Sequence, residues 1–514
     1  MRRLTVTVLD LVARGPTRKY FSRIMNPNYA SVMPQAVAVW CEQLGHRVLF
    51  LCYSGSEDLS REIPGETDRL IVGAFSRSAQ AAYAVSNLFQ RRGTVTALGG
   101  PHARCFPQDA ARYFDYVLGS TDRAVVAEML RDCQPHRPLG VQLGAKGQPP
   151  ELPGVRERWK FIEPTLAKAR HLQMVPMLAS MGCPYKCSFC IDSQVDYQPL
   201  ATDQIGEDLR FLLKKLPRPL VAWHDPLFGV RFDEMLTTIE RVVPPDRIDF
   251  AAEISLSLLS ETHVQRLARN GFKALLPGIE SWYEMGNKAK TGRRIGQEKV
   301  EQVAEHIDML LRYMPYVQTN FVLGLDCDEG AEPFELTKQF LERVPGAFPA
   351  FSFLTAYGQA APLNLRLQRE GRVIPMPFHF LDSHWMNVRP KHYSWPGFYR
   401  LAGDLARSAQ SWPSIARRFR ANRGFVPRGL NLVRALSSNR VGRLARVVQK
   451  LEKDAEFRRF FEGESTEVPA VLEGMIRRDL GPLWEALPRD ALSYDANAYA
   501  RATAVDARGM LASA

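Results

Sequence analysis

The sequence predicts an α/β protein in three parts: an N-terminal doubly wound, Rossmann-like domain, a partial (β/α)6 TIM-type barrel, and a helical C-terminal region. Three observations predict it. Residues 1–140 alternate short apolar runs with helical stretches, residues 172–388 do the same, and residues 389–514 carry helical periodicity without a strand signal. At 514 residues the chain is also too long for one ordinary core.

In the first domain, Leu4–Leu11, Arg47–Tyr53, Asp68–Phe75, Thr94–Leu98 and Tyr116–Leu118 read as strands. Ala30–Leu44 and Ala79–Arg91 read as helices, the first closed by Gly45. Strands separated by helices form a parallel sheet, and ligands of such sheets sit beyond the carboxyl ends of the strands. Those ends carry Tyr53-Ser54-Gly55, Ser76-Arg77-Ser78 and the turn Gly99-Gly100-Pro101-His102. Residues 141–171 include the cluster GQPPELPG and read as a linker.

In the second domain the expected strands are Met174–Ser180, Leu220–His224, Asp249–Glu253, Ala274–Gly278, Val317–Leu323 and Ala350–Thr355. The helices between them are Gln204–Leu216, Phe232–Val243, Glu261–Asn270, Gln297–Tyr313 and Glu332–Val344. Six strand–helix repeats suit a partial barrel.

The formal net charge of +12 is concentrated in one place. Residues 405–450 contain no Asp or Glu but hold Arg407, Arg417, Arg418, Arg420, Arg423, Arg428, Arg434, Arg440, Arg443, Arg446 and Lys450. Such a patch calls for an acidic partner, substrate or surface. Val433, Leu436, Val441, Leu444, Val447, Val448 and Leu451 recur at helical spacing, so peripheral contact with an anionic membrane through 405–450 is one reading. A helix packed on the barrel with its charges in water is the other. Nucleic acid is disfavoured, because only Phe419 and Phe425 interleave with the charges. No run of about 18 apolar residues offers a spanning helix. The strand-like N-terminus lacks the apolar stretch of a signal peptide, so the expected location is the cytoplasm, with membrane association as an extension.

Cys41, Cys52, Cys105, Cys133 and Cys327 are scattered, which argues against a disulfide framework, and the first four are expected to be buried and inert. Cys183, Cys187 and Cys190 stand together in Met181-Gly182-Cys183-Pro184-Tyr185-Lys186-Cys187-Ser188-Phe189-Cys190, after the first barrel strand. Gly182 and Pro184 suit the tight loop that three converging thiolates need. Soft thiolates select zinc or iron–sulfur, and a structural zinc would want a fourth ligand that is not nearby. Three ligands on a four-iron cluster leave one iron open.

The C-x3-C-x2-C spacing, with Phe189 before the last cysteine, resembles the radical S-adenosylmethionine (SAM) superfamily. That resemblance implies a 4Fe–4S cluster on the three cysteines, SAM chelated to the open iron, and a 5′-deoxyadenosyl radical that takes hydrogen from substrate. It implies a reductant such as flavodoxin or ferredoxin. Later segments match in order: Asp225 in HDPLF, Glu253 in FAAE, Gly278, Glu280 and Ser281 in LPGIES, and Gln318, Asn320 and Gly324 in QTNFVLGL. With Phe189 these are the expected SAM-site residues, Glu280 foremost. The segment Tyr357–Leu363 lacks the Pro-Gly-Thr turn of many relatives.

The first domain resembles the cobalamin-binding domain that precedes many radical SAM domains, through DRLIVGAFS, LGGPHA and FDYVLG. The resemblance implies cobalamin near Ser76, Gly99, Gly100, Pro101 and His102. The Asp-x-His-x-x-Gly signature of histidine ligation to cobalt is absent, as in many cobalamin-dependent radical SAM methylases. The expected function is therefore cobalamin-dependent C-methylation of a lipid or secondary metabolite. One alternative is a cobalamin-independent radical SAM enzyme (cyclisation, oxidation or carbon–carbon coupling) with a vestigial first domain. The non-enzymatic alternative is a zinc-stabilised binding protein. A methylthiotransferase would need three more clustered cysteines, and the remaining ones are not so arranged.

Overall fold

The computed structural model describes residues 2–499 apart from 18–19, 170 and 383. The end of the predicted C-terminal region, residues 500–514, lies outside the described residues. The first sheet contains β1 (Thr5–Leu11), β2 (Arg47–Tyr53), β3 (Arg69–Ala74), β4 (Val95–Gly99), β5 (Tyr116–Leu118) and β6 (Val141–Leu143). All pairs are parallel, in the order β2-β1-β3-β4-β5-β6. Strand β1 is buried along almost its whole length, as a strand covered by helices on both faces must be. Helices Val32–Gln43, Arg123–Arg131 and Val155–Lys168 supply Ala36, Trp40, Val126, Met129 and Phe161 to one core, while Ala79–Gln90 packs on β3 and β4. The strand order reverses between β1 and β3, so the ligand crevice of this topology opens at their carboxyl ends.

The expected linker is more ordered than its composition suggests. Val141–Leu143 adds to the sheet edge beside β5, and the Gly-Pro cluster leads into the helix Val155–Lys168. Glu157 closes the start of that helix by accepting the Gly154 N–H at 2.9 Å. A three-residue strand and a helix containing Pro164 both fall below what sequence pattern detects.

The chain forms two compact units. The first joins residues up to Gln204 with Thr355–Val388 and the described chain from Thr466. These three stretches meet in an aromatic cluster, in which Phe378 packs on His102 and Phe106 (both 4.7 Å between centroids) and stacks on Tyr494 (4.3 Å). Arg14 pairs with Asp382 at 2.9 Å, and Asn87 donates to the Ala486 carbonyl at 2.7 Å. This unit also contains β7 (Met174–Met177) and the two-residue strands β8 (Ser180–Met181) and β9 (Gln198–Pro199).

His102 lies inside that cluster with no exposed surface. Its Nε2 is 2.6 Å from the Tyr83 hydroxyl and its Nδ1 is 3.3 Å from Ser76 Oγ. Tyr83 in turn donates to Asp109 at 2.7 Å. Burial pulls His102 down from 6.5 to about 3. The unfolded chain therefore takes up a proton below pH 6.5 that the folded one refuses until about 3, and stability is lost as pH falls through that window. The expected slope from this residue is about 1.4 kcal/mol per pH unit where it is fully developed. Urea midpoints of wild type and His102→Gln measured from pH 7 to 4 should converge as the pH falls; parallel profiles would contradict the assignment.

The second unit comprises Ile205–Leu354 and Arg389–Ser465. Its strands β10 (Leu220–Trp223), β11 (Asp249–Ile254), β12 (Phe272–Glu280), β13 (Tyr316–Leu323) and β14 (Phe348–Phe353) pair in sequence order, all parallel. The two faces differ in composition. Trp223, Phe250, Phe321, Phe351 and Phe353 are buried on one face, beneath helices such as Gly296–Tyr313 and Glu332–Arg343. Ala251, Glu253, Ala274, Gly278, Gln318, Asn320, Ala350 and Ser352 line the other, which alternation along the strands predicts. This second, open face is mostly small and polar, with Leu276 and Val322 between and the Tyr316 and Phe348 rings at its start. The C-terminal region is helical as expected, with Trp395–Ala409, Trp412–Ala421, Phe425–Ser437, Arg440–Lys453 and Ala455–Glu462 in this unit. Among the described residues no helix is long and apolar enough to cross a membrane.

Candidate functional site

Strands β8 and β9 pair antiparallel, Met181 opposite Gln198, and so tie the base of the loop that carries the three cysteines. Gly182 opens the loop at φ 67°, and a Cβ there would lie 2.2 Å from the Asp196 carbonyl oxygen. Only glycine meets both demands. The far side is held by Arg104, which pairs with Asp192 at 2.7 Å, and by the Leu363 N–H, which donates to the Ser188 carbonyl at 3.0 Å. Cys183, Cys187, Cys190 and Phe189 are all half-buried. The Asp192 N–H donates to Cys190 Sγ at 3.4 Å, the kind of contact that favours a thiolate.

Among the described residues, no three Cys, His, Asp or Glu side chains close round a single metal ion. A four-iron cluster takes each thiolate on a different iron, so its ligands stand farther apart than those of one ion. Three part-exposed thiols on one anchored loop fit that donor set. Cys41, Cys52 and Cys105 are buried, as expected; Cys133 and Cys327 are half-buried. Burial raises the Cys327 thiol to about 12, which keeps it protonated.

The turn after β12 is built round Glu280. The register with β13 shifts between Gly278 and Glu280, and Glu280 takes φ 65°, a left-handed conformation uncommon outside glycine. Such a bulge re-aims a side chain. Here it turns the carboxylate to Lys288, with Nζ–Oε1 at 2.5 Å. A Cβ at Gly278 would meet Glu280 Oε1 at 2.1 Å and Lys288 Nζ at 2.8 Å, so the glycine makes room for the pair. Ser281 Oγ accepts from the Tyr283 and Glu284 N–H groups, and the fully buried Lys299 donates to the carbonyls of Ser281 and Glu284, both at 2.5 Å. Burial lowers Lys299 to about 8. Lys288 and Lys299 have no signature in the sequence, because their role depends on where the helices that carry them return.

On β13, Tyr316, Gln318 and Asn320 follow one another along the open face. Gln318 Nε2 donates to Asn320 Oδ1 at 2.8 Å, and Asn320 reaches the Leu276 and Pro277 carbonyls at 3.4 Å. Gln318 Oε1 accepts from Arg434 at 2.5 Å, and Arg434 also donates to the Tyr316 hydroxyl and lies over the Phe348 ring at 3.9 Å. Gly324, at φ 83°, ends the strand, and its N–H and that of Leu325 are taken by the buried Asp328. Burial raises Asp328 to about 7 against those two amides. Asp225 is buried at the end of β10, and Glu253 stands exposed on the open face of β11.

In the first unit, Ser76 is buried, Pro101 is half-buried, and Gly99 and Gly100 sit at the surface of the β4 end. Gly100 has φ 88° and only 3.0 Å between a built Cβ and the Ala74 carbonyl, so its glycine serves the approach of β4 to β3. His102, for which the turn left a structural role and a cofactor contact equally open, is a core residue with both ring nitrogens engaged. Sequence reasoning passed over Phe75, a 44 % exposed ring at the carboxyl end of β3.

Residues 177–336 match the family model described as the Radical SAM superfamily. Two methyltransferases of Chlorobaculum tepidum are similar in sequence. Bacteriochlorophyllide d C-8(2)-methyltransferase is 25% identical over 321 residues, 59% of this chain and 69% of that one. Bacteriochlorophyllide d C-12(1)-methyltransferase is 22% identical over 319 residues, 60% and 68% of the two chains. Among solved structures, the cobalamin-dependent SAM radical enzyme OxsB with aqua-cobalamin bound superposes with a TM-score of 0.58 at 12% identity, over 95% of this chain and 80% of that one. The radical SAM methyltransferase TsrM from Kitasatospora setae, with tryptophan and a SAM analogue bound, gives 0.51 at 11% identity, over 72% and 77%. At these identities the structural likeness shows the fold alone.

Proposed function

We propose that the chain, whose residues 177–336 match the Radical SAM superfamily, is a radical SAM enzyme and within that class a cobalamin-dependent C-methyltransferase of a small or amphiphilic molecule. The observation that carries the reading is the pairing of the cysteine loop with a preceding parallel sheet whose order reverses at β1/β3. The exposed Phe75 and the Gly99–Gly100 turn at that sheet's carboxyl edge suit a broad, partly apolar ligand such as a corrin. The names of the two sequence relatives support methyl transfer.

When bound, the cluster with SAM supplies a 5′-deoxyadenosyl radical, and cobalamin supplies a methyl group. The chain's own residues do the holding. Cys183, Cys187 and Cys190 bind the cluster, with the Asp192 N–H stabilising the Cys190 thiolate. Glu280, with Gly278, Ser281, Gln318, Asn320 and Gly324, would hold SAM, with Asp225 and Glu253 beside them in the same unit. Lys299 fixes the turn that aims Glu280. His102 would serve the first domain as a packed residue, its ring nitrogens held by Tyr83 and Ser76. A flavodoxin or ferredoxin supplies the electron.

The test is anaerobic purification from cells given cobalamin, with iron, corrin and SAM cleavage measured on one sample. Corrin bound together with iron is expected, and a product heavier than substrate by one methylene unit. An active enzyme without corrin would move the reading to cobalamin-independent radical chemistry on a vestigial first domain.

A further inference from the structure

The helix Phe425–Ser437 is amphipathic in the inverted sense. Pro427, Asn431 and Ala435 are buried, and Arg434 turns inward to Gln318 and Tyr316. The face that points to water carries Phe425 (93% exposed), Val426 (80%), Val433 and Leu436. The neighbouring helix Trp412–Ala421, packed against it, adds Trp412 (71% exposed) and Phe419. Single exposed apolar residues need no explanation, but six on two adjacent helices do. Arg417, Arg420 and Arg423 are exposed on the same helix pair, and no acidic residue occurs from 405 to 450.

We propose that this helix pair is a docking surface for an anionic lipid bilayer, with Trp412, Phe419, Phe425 and Val426 entering the interface and the arginines meeting headgroup phosphates. Charge complementarity selects this occupant. A second copy of the chain would bring arginines against arginines, whereas anionic headgroups neutralise them while the acyl boundary takes the rings. The inference stands apart from the methyl-transfer reading, since none of the residues proposed to meet the lipid holds a cofactor.

The test is sedimentation of the full-length holoprotein with phosphatidylcholine vesicles, with and without phosphatidylglycerol. Binding is expected only where phosphatidylglycerol is present, and it should weaken as salt rises. The variant Phe425→Ser/Val426→Ser should bind at least about tenfold more weakly, and Arg417→Gln/Arg420→Gln/Arg423→Gln by about fivefold per charge removed. SAM cleavage in detergent-free buffer should be unchanged in both, which shows that they fold. Absence of binding to the anionic vesicles, or equal binding by wild type and both variants, would overturn the proposal. So would a lipid-free dimer that Phe425→Ser/Val426→Ser dissolves, which would assign the face to a second copy.

Discussion

Alanine at Cys183, Cys187 or Cys190 is expected to strip the protein of its iron and visible absorbance and to bring SAM cleavage down to background. The loop that carries these thiols is fixed by other contacts: the β8–β9 pair at its base, the Arg104–Asp192 ion pair, and the Leu363–Ser188 hydrogen bond. Removing one part-exposed thiol leaves all of them in place, so the unfolding free energy of the cluster-free protein, read by urea denaturation, should change by less than about 1 kcal/mol. Loss of function without loss of fold is the signature of a cofactor ligand. Cys327→Ala is the control. Its thiol is held protonated by burial, so iron content and cleavage should persist. Full iron content in any one of the three loop variants would remove that residue from the ligand set. A colourless wild-type protein carrying zinc would replace the enzyme by a zinc-stabilised binding protein.

Gly278→Ala is the second large effect. The added methyl would fall 2.1 Å from Glu280 Oε1 and 2.8 Å from Lys288 Nζ, so the pair must move. The strand cannot yield easily, since the bulge and the left-handed Glu280 are fixed by Lys299 beneath the following turn. Overpacking of this kind costs about 1–3 kcal/mol. If Glu280 holds SAM as proposed, the displaced carboxylate also loses a charge-assisted contact of about 1.5–3 kcal/mol, and SAM affinity should fall by at least about tenfold. Iron content should not change. Gly474→Ala, in a helix with nothing within 4 Å of the new Cβ, should be neutral or mildly stabilising. Titration of SAM into both variants by equilibrium dialysis decides the matter, and undiminished affinity in Gly278→Ala would separate Glu280 from SAM.

Much of this architecture was legible because it is local. Most strands of the two sheets were marked by apolar runs between helical stretches, and β1, β2, β13 and β14 fall within a few residues of their expected bounds. The cysteine loop was legible because its chemistry lies within eight residues of chain. Elements that lean on distant partners were not. The edge strand Val141–Leu143 is short and sits beside a Gly-Pro cluster, and it becomes a strand only because β5 offers an open edge. The Gly-Gly-Pro turn before His102 left a structural role and a ligand contact equally open; Phe378, far along the chain, buries it.

The basic segment shows the division most clearly. Composition determined that residues 405–450 are helical and cationic, and that some of the cations need partners. Tertiary structure decided which ones. Arg418 is buried over Phe348, Arg434 reaches the open face of β13, and Arg440 donates to the Phe351 carbonyl at 2.5 Å beside two phenylalanine rings. Periodicity reports that a helix has two faces but not which one meets the protein. Here Arg434 gains a glutamine oxygen, a phenol and an aromatic face from strands far earlier in the chain, and that set of contacts turns Phe425 and Val426 to the outside. In the same way, local pattern alone marked a three-thiol loop and a Gly-Ile-Glu strand end. Only the fold supplied Lys288, which pairs with the glutamate, and Lys299, which holds the carbonyls of the turn after it, because no local pattern encodes where their helices return.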